Sequence, residues 1–138
     1  MTGARTVKVT AKEQYGLRAM AELAGRYGQG PVPLSEVSKA QGISLDYLEQ
    51  IIPALREAGL VSSTRGARGG YELERTPDEI TVGDILRALD GDILPVRCVS
   101  DDCREPCSRT DECGARTVWQ AVHEQVSKTL DSMRLADL

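Results

Sequence analysis

Apolar residues recur every three or four positions over most of this chain, and the pattern breaks at a few glycine- and proline-rich points. Leu17, Met20 and Ala24, with Ala19 and Leu23 beside them, predict a first helix over 10–27. Thr10 followed three residues later by Glu13 has the form of a capping box at its start. The stretch GQGPVP at 28–33 then interrupts the pattern. A short second helix over 34–41 carries Leu34, Val37 and Ala40 on one face, and Gly42 ends it. Ser44 is a natural cap for a third helix, Asp46 suits the positive end of its dipole, and Leu45, Leu48, Ile52 and Leu55 form the expected buried stripe. Pro53 removes a backbone hydrogen bond inside this helix, at a cost of roughly 3 kcal/mol in a regular one, so a bend near 49–53, or a last turn reoriented toward Gly59, is expected.

The period then shortens. Residues 60–64 and 70–74 predict two short strands, joined by a tip over 65–69 that holds Arg65 and Arg68 among glycines. A short helix, a glycine-containing turn, a second helix and then a Gly/Arg hairpin make a winged helix-turn-helix. Thr81 caps a fourth helix with Asp84 at its third position, and Ile80 is placed to staple onto Ile85. Residues 90–112 are polar and turn-rich, with Pro95 and Pro106. A long helix returns over 113–134, where Val118 or Trp119, Val122, Val126, Leu130 and Met133 make a narrow apolar seam. Such a seam calls for a partner, and a second copy of the helix supplies one. The expected fold is mainly α with a small β-hairpin wing, divided into a winged helix-turn-helix over 1–89, a cysteine loop over 90–112 and a dimerisation helix over 113–138.

Composition narrows this picture. A chain of 138 residues fits one domain with a helical extension, and 41% hydrophobic with 28% charged residues is ordinary for a soluble protein. Without Phe and with one Trp the core must be aliphatic and small, which a second subunit would enlarge. No apolar run is long enough for a signal peptide or a membrane span, so a cytoplasmic location without a membrane partner is expected. The net charge of −4 does not exclude nucleic acid, because phosphate contacts need only a local basic patch. Residues 59–71 provide one: they contain no acid and include Arg65 and Arg68.

The hairpin and the third helix direct the reading toward double-stranded DNA. With the start of the third helix in the major groove, Ser44, Tyr47 and Gln50 are the types that reach phosphates and base edges, Gln50 preferring adenine. Glu49 either accepts from a cytosine amino group or repels nonspecific DNA, Arg65 enters the adjacent minor groove, and Arg68 meets the backbone. Cys98, Cys103, Cys107 and Cys113 crowd into sixteen residues of an otherwise cysteine-free chain. In a reducing compartment this favours metal binding or redox chemistry over a disulfide framework. The spacing C-x₄-C-x₃-C-x₅-C matches neither paired zinc knuckles nor the common ferredoxin runs, so an iron–sulfur cluster (4Fe-4S or 2Fe-2S) and zinc both remain open. His123 lies about 15 Å along the helix from Cys113 and reads as a surface or interface residue, and Trp119 reads as dimer packing. No constellation of nucleophile, base and acid supports catalysis, and no small-molecule substrate is expected.

Several segments carry a family resemblance: YGLRAM at 15–20, ISLDYLEQ at 43–50, GLVSSTRG at 59–66 with GGY at 69–71, and Cys107-x₅-Cys113 followed by Trp119. They resemble the IscR/NsrR/RirA-like, or Rrf-type, family of bacterial winged-helix regulators over nearly the whole chain. The resemblance implies a homodimer crossing its long C-terminal helices, a palindromic operator and, in many members, an iron–sulfur cluster that sets DNA affinity. It places Ser44, Tyr47, Glu49 and Gln50 on the recognition helix and Arg65 on the wing. Cys107 and Cys113 fall on two of the cysteine ligands, and either Cys98 or Cys103 fills the remaining cysteine position. Two departures matter: the histidine that some members use is Arg116 here, and the aspartate that others donate from the first helix is Gln14, next to Glu13. An all-cysteine site follows from these departures. The expected function is a transcription regulator, a repressor, controlled by that cluster. The alternatives are a metal-free thiol/disulfide switch on the same DNA reader and a zinc-stapled dimeric interaction module.

Overall fold

A computed structural model of the chain describes residues 10–90 and 112–138. Five helices and a hairpin follow in order: α1 (Ala11–Gly25), α2 (Leu34–Gln41), α3 (Leu45–Glu57), β1 (Val61–Thr64), β2 (Gly70–Leu73), α4 (Val82–Asp90) and α5 (Ala115–Ser132). The capping box of α1 is closed: Thr10 Oγ1 accepts from the Glu13 N–H at 3.2 Å, and Glu13 Oε1 accepts from the Thr10 N–H at 3.0 Å. The same reciprocal pair starts α4, with Thr81 and Asp84 at 3.0 and 3.1 Å. Gly42 ends α2 at φ 65°, a left-handed cap that glycine adopts without strain, and turns the chain into α3.

One expectation for α3 is corrected, the burial of Leu45. The helix runs through Pro53 to Glu57 without a break. Pro53 is exposed, so the carbonyl that loses its donor can be met by solvent. The buried stripe is Leu48, Ile51, Ile52 and Leu55, while Leu45 is 38% exposed. Leu45 sits in the first turn at the edge of that stripe, and its side chain faces a groove rather than the core.

One aliphatic core gathers Met20 and Leu23 of α1, Val37 of α2, the α3 stripe, Leu60, Val61, Leu73, Ile80, Ile85 and Leu89. The antiparallel hairpin pairs Val61 with Leu73 and Thr64 with Gly70. It is fixed to the body at its base, where Val32 and Tyr71 exchange backbone hydrogen bonds at 2.8 Å. That bridge brings the Val32 carbonyl within 2.4 Å of where a Cβ on Gly70 would stand, and Gly70 has φ +156°. Only glycine fits here. Gly70→Ala is expected to cost about 1–3 kcal/mol, read as a lower midpoint of denaturant unfolding with an unchanged slope.

The long helix α5 is shorter than expected, ending at Ser132. Met133, read from sequence as the last residue of its seam, lies past the helix in extended conformation and is 42% exposed. Its carbonyl accepts from the Val82 N–H at 2.8 Å, so the chain turns back onto the start of α4. No residue of α5 is buried in the single chain; Val118 and Trp119 are 56% and 43% exposed, and Val122, Val126 and Leu130 are half-buried. A bidentate pair ties α5 to α4: Arg87 donates through both terminal nitrogens to the two Asp131 oxygens, each at 2.8 Å. Those hydrogen bonds hold the Asp131 carboxyl below its ordinary range.

Candidate nucleic-acid interface and thiol site

On α3 the residues opposite the buried stripe are the exposed Asp46, Glu49 and Gln50, with Ser44 capping the helix start. Helical spacing puts Asp46 and Gln50 at the centre of the outward face, one turn apart. Glu49 lies on the flank facing α2 and the hairpin, where it lines a shallow groove of about 440 Å³ with Leu34, Leu45, Pro53, Arg56 and Tyr71. The Ser44 hydroxyl accepts from the Tyr47 N–H at 3.4 Å, which leaves its own proton available for an acceptor such as a phosphate oxygen.

Tyr47 turns toward α1 rather than straight outward. It is half-buried, and its ring meets Tyr15 edge-on at 5.5 Å and 84°. This makes Tyr47 a brace for the start of α3. On the other flank, a second groove of about 480 Å³ runs between α3 and the hairpin, lined by Arg56, Ser63, Thr64, Arg65, Gly69 and Tyr71. Arg65 and Arg68 are both exposed on the hairpin tip. Arg56, which the sequence reading did not single out, lines both grooves. Its spacing of seven residues from Glu49, which returns it to the same flank, was the signal that could have found it.

Of the four cysteines, Cys113 is within the described residues, and Cys98, Cys103 and Cys107 lie outside them. Cys113 is a free, half-buried thiol, and its carbonyl accepts from the Arg116 N–H at 3.2 Å as α5 begins. The structure thus brings together exposed residues of α3 and the hairpin, and places one thiol at the root of the long helix. Among the described residues no group of three or more His, Cys, Asp or Glu gathers to hold a metal. Glu13 is 1% exposed; its Oε1 also accepts from the Thr10 hydroxyl at 3.1 Å, and its Oε2 has no hydrogen-bond partner among the described residues. Arg116 likewise buries an Nε donor that has no hydrogen-bond partner among the described residues. Four soft thiolates fit iron–sulfur or zinc rather than an oxygen-preferring metal. A buried cationic donor one turn after Cys113 suits sulfur ligands of negative charge as a hydrogen-bond donor, not as a ligand. His123 is half-buried on α5, well along from Cys113.

A helix-turn-helix with an arginine-tipped wing, joined to a long amphipathic helix, defines a winged-helix regulator class. The Rrf2 family profile, described as an iron-dependent transcriptional regulator, matches residues 9–138, and the chain belongs to that family. The chain is 43% identical over 132 residues to the HTH-type transcriptional regulator CymR of Bacillus subtilis, covering 96% of this chain and 89% of that protein. The solved structure of CymR, the global cysteine regulator of B. subtilis, superposes with a TM-score of 0.79 over 96% of this chain and 95% of that one. The HTH-type transcriptional regulator IscR of Aliivibrio salmonicida is 41% identical, covering 96% of this chain and 77% of that protein. The T. potens IscR structure gives a TM-score of 0.76 at 44% identity, covering 98% and 88% of the two chains. The protein is therefore a transcriptional regulator and not an enzyme. No described helix is long and apolar enough to cross a membrane.

Proposed function

We propose that the chain is a homodimeric repressor whose affinity for a palindromic duplex operator is controlled by an iron–sulfur cluster on Cys98, Cys103, Cys107 and Cys113. The outward face of α3, continuous with the arginine-tipped hairpin, is the observation that supports the DNA reading. Ser44, Glu49 and Gln50 then meet phosphate and base edges, Tyr47 steadies the helix, and Arg65 and Arg68 act from the wing. Residues 1–89 are the reader, 90–112 the sensor segment and 113–138 the dimer element. In the dimer Trp119, Val122, Val126 and Leu130 meet their copies, with Met133 just beyond.

Control follows from where the sensor segment is attached. It leaves α4 at Asp90 and rejoins at Cys113, and α4 and α5 are clamped by Arg87 and Asp131. A segment reshaped between these ends changes the angle between reader and dimer helix, and so the spacing of the two recognition helices. Half-sites must lie about one DNA turn apart, so small changes in spacing alter affinity.

A second reading, in which the same thiols act as a metal-free disulfide switch, is favoured by the likeness to CymR of Staphylococcus aureus, which is 34% identical and has been solved in an oxidized form. Anaerobic purification, a visible spectrum and iron, sulfide and zinc per chain separate the two. Brown protein with near-equal iron and sulfide, lost in Cys107→Ala and Cys113→Ala, is expected. Colourless protein that resists reconstitution overturns the cluster. Oxidant-dependent disulfides would then support the switch, and stoichiometric zinc a stapled module.

A further inference from the structure

The outward face of α3 is not itself basic. Its centre carries Asp46 and Gln50, and Glu49 lies toward one edge. Cations border it instead. Arg56 and Arg65 stand on the hairpin side, and Arg18 of α1 stands on the other, beside the helix-turn-helix turn. A major groove has the complementary layout: base edges that include amino donors form the floor, and a phosphate strand forms each wall. The acids fit the floor, the arginines fit the walls, and only one wall was anticipated.

Arg18 is exposed yet held in place. Its guanidinium lies 5.5 Å from the centroid of the Tyr15 ring, and Tyr15 in turn supports Tyr47 at the start of α3. Arg18 Nε donates to the Gln41 side chain at 3.3 Å, and one terminal nitrogen donates to the Gln41 carbonyl just before the turn. Gln41 is itself fixed, its amide donating to Glu22 at 2.7 Å, and Glu22 pairs with Arg26 at 2.9 Å. The Arg18 fork is thus oriented by two contacts on one side, while the other terminal nitrogen keeps its donors for an acceptor from outside.

We infer that Arg18 is a phosphate-binding residue of the DNA interface, gripping the backbone strand on the α1 side of the groove while Arg56 and the wing grip the other. The inference rests on the proposed DNA reading. It adds a contact that fixes register without reading sequence. Ordering the fork in the free protein lowers the entropy cost of that contact.

The test uses the full chain and a duplex selected by the wild-type protein, with affinity measured against salt. Arg18→Ala is expected to lose on the order of tenfold in affinity and to flatten the log–log salt slope by about one. The loss should be the same on operator and on mixed-sequence duplex. Arg18→Lys should keep the slope and lose part of the affinity, because it keeps the charge and loses the fork. Gln41→Ala controls for the brace: it loosens α1 from α2 without removing a cation, so thermal stability falls while the slope stays. An Arg18→Ala slope equal to wild type, with only a fall in melting temperature, reduces Arg18 to a strut and overturns the inference. Wild-type protein that binds no duplex removes the DNA reading, and with it this contact. The two failures are distinct.

Discussion

Leu135→Ala is expected to destabilise the protein by about 2–5 kcal/mol, the range for truncating a leucine in a well-packed core. Leu135 is 1% exposed and belongs to the same cluster as Met20, Ile80 and Ile85, although it lies three residues beyond the end of α5. Its N–H donates to the Ile80 carbonyl at 2.8 Å, and Arg134 bridges Thr81, so the backbone fixes the side chain before packing does. A site fastened on both sides cannot collapse to fill the space left by three carbons, which favours the upper part of the range. Against a total stability of about 5–15 kcal/mol this is a large fraction. Leu138→Ala supplies the contrast. Leu138 is 56% exposed, and its truncation should stay within about 0.5 kcal/mol. Urea unfolding of both variants decides the matter; equal midpoints would mean that the tail is not part of the core.

What the sequence revealed and what it hid follow from the range of the forces involved. Thr10 with Glu13, Thr81 with Asp84, and Gly42 are local devices satisfied within three or four residues, and each closes in the structure as the sequence indicates. The hairpin followed equally directly from its glycines. Leu135 was missed because a short LADL stretch has no period, and only the return of the chain onto Ile80 buries it. Leu45 was misplaced because a stripe can be drawn through either edge of a helix, and which edge is covered depends on the neighbours of α3. Arg56 and Arg18 were passed over for a similar reason: a cation gains its meaning from the surface it borders, and both surfaces are assembled from distant parts of the chain. The thiol site divides the same way. Four crowded cysteines suggest thiolate chemistry, three of them lie outside the described residues, and the choice among ligands depends on a three-dimensional arrangement that spacing does not encode.

Arg65→Ala is expected to lower operator affinity by about ten- to a hundredfold at fixed salt, more than Arg68→Ala. Both residues are exposed on the same tip. They differ in position: Arg65 follows β1 directly and lines the groove against Arg56, while Arg68 does not. An arginine at that edge can enter a narrow minor groove, where it meets the enhanced negative potential of A·T-rich sequence as well as a phosphate. Its loss should therefore flatten the salt slope by about one and also weaken preference at the flanking base pairs. Arg68→Ala should lower affinity and slope without changing that preference. Fluorescence anisotropy with the full chain on matched and flank-altered duplexes separates these outcomes, and an unchanged affinity for Arg65→Ala would remove the wing from the interface. The double variant with Arg18→Ala then tests the layout as a whole. Arg18 and Arg65 border opposite flanks of α3 and share no contact, so their losses in binding free energy should add. A loss well short of additive would mean that one variant already releases α3 from the groove, and that the two flanks are held through the helix rather than by independent grips on two strands.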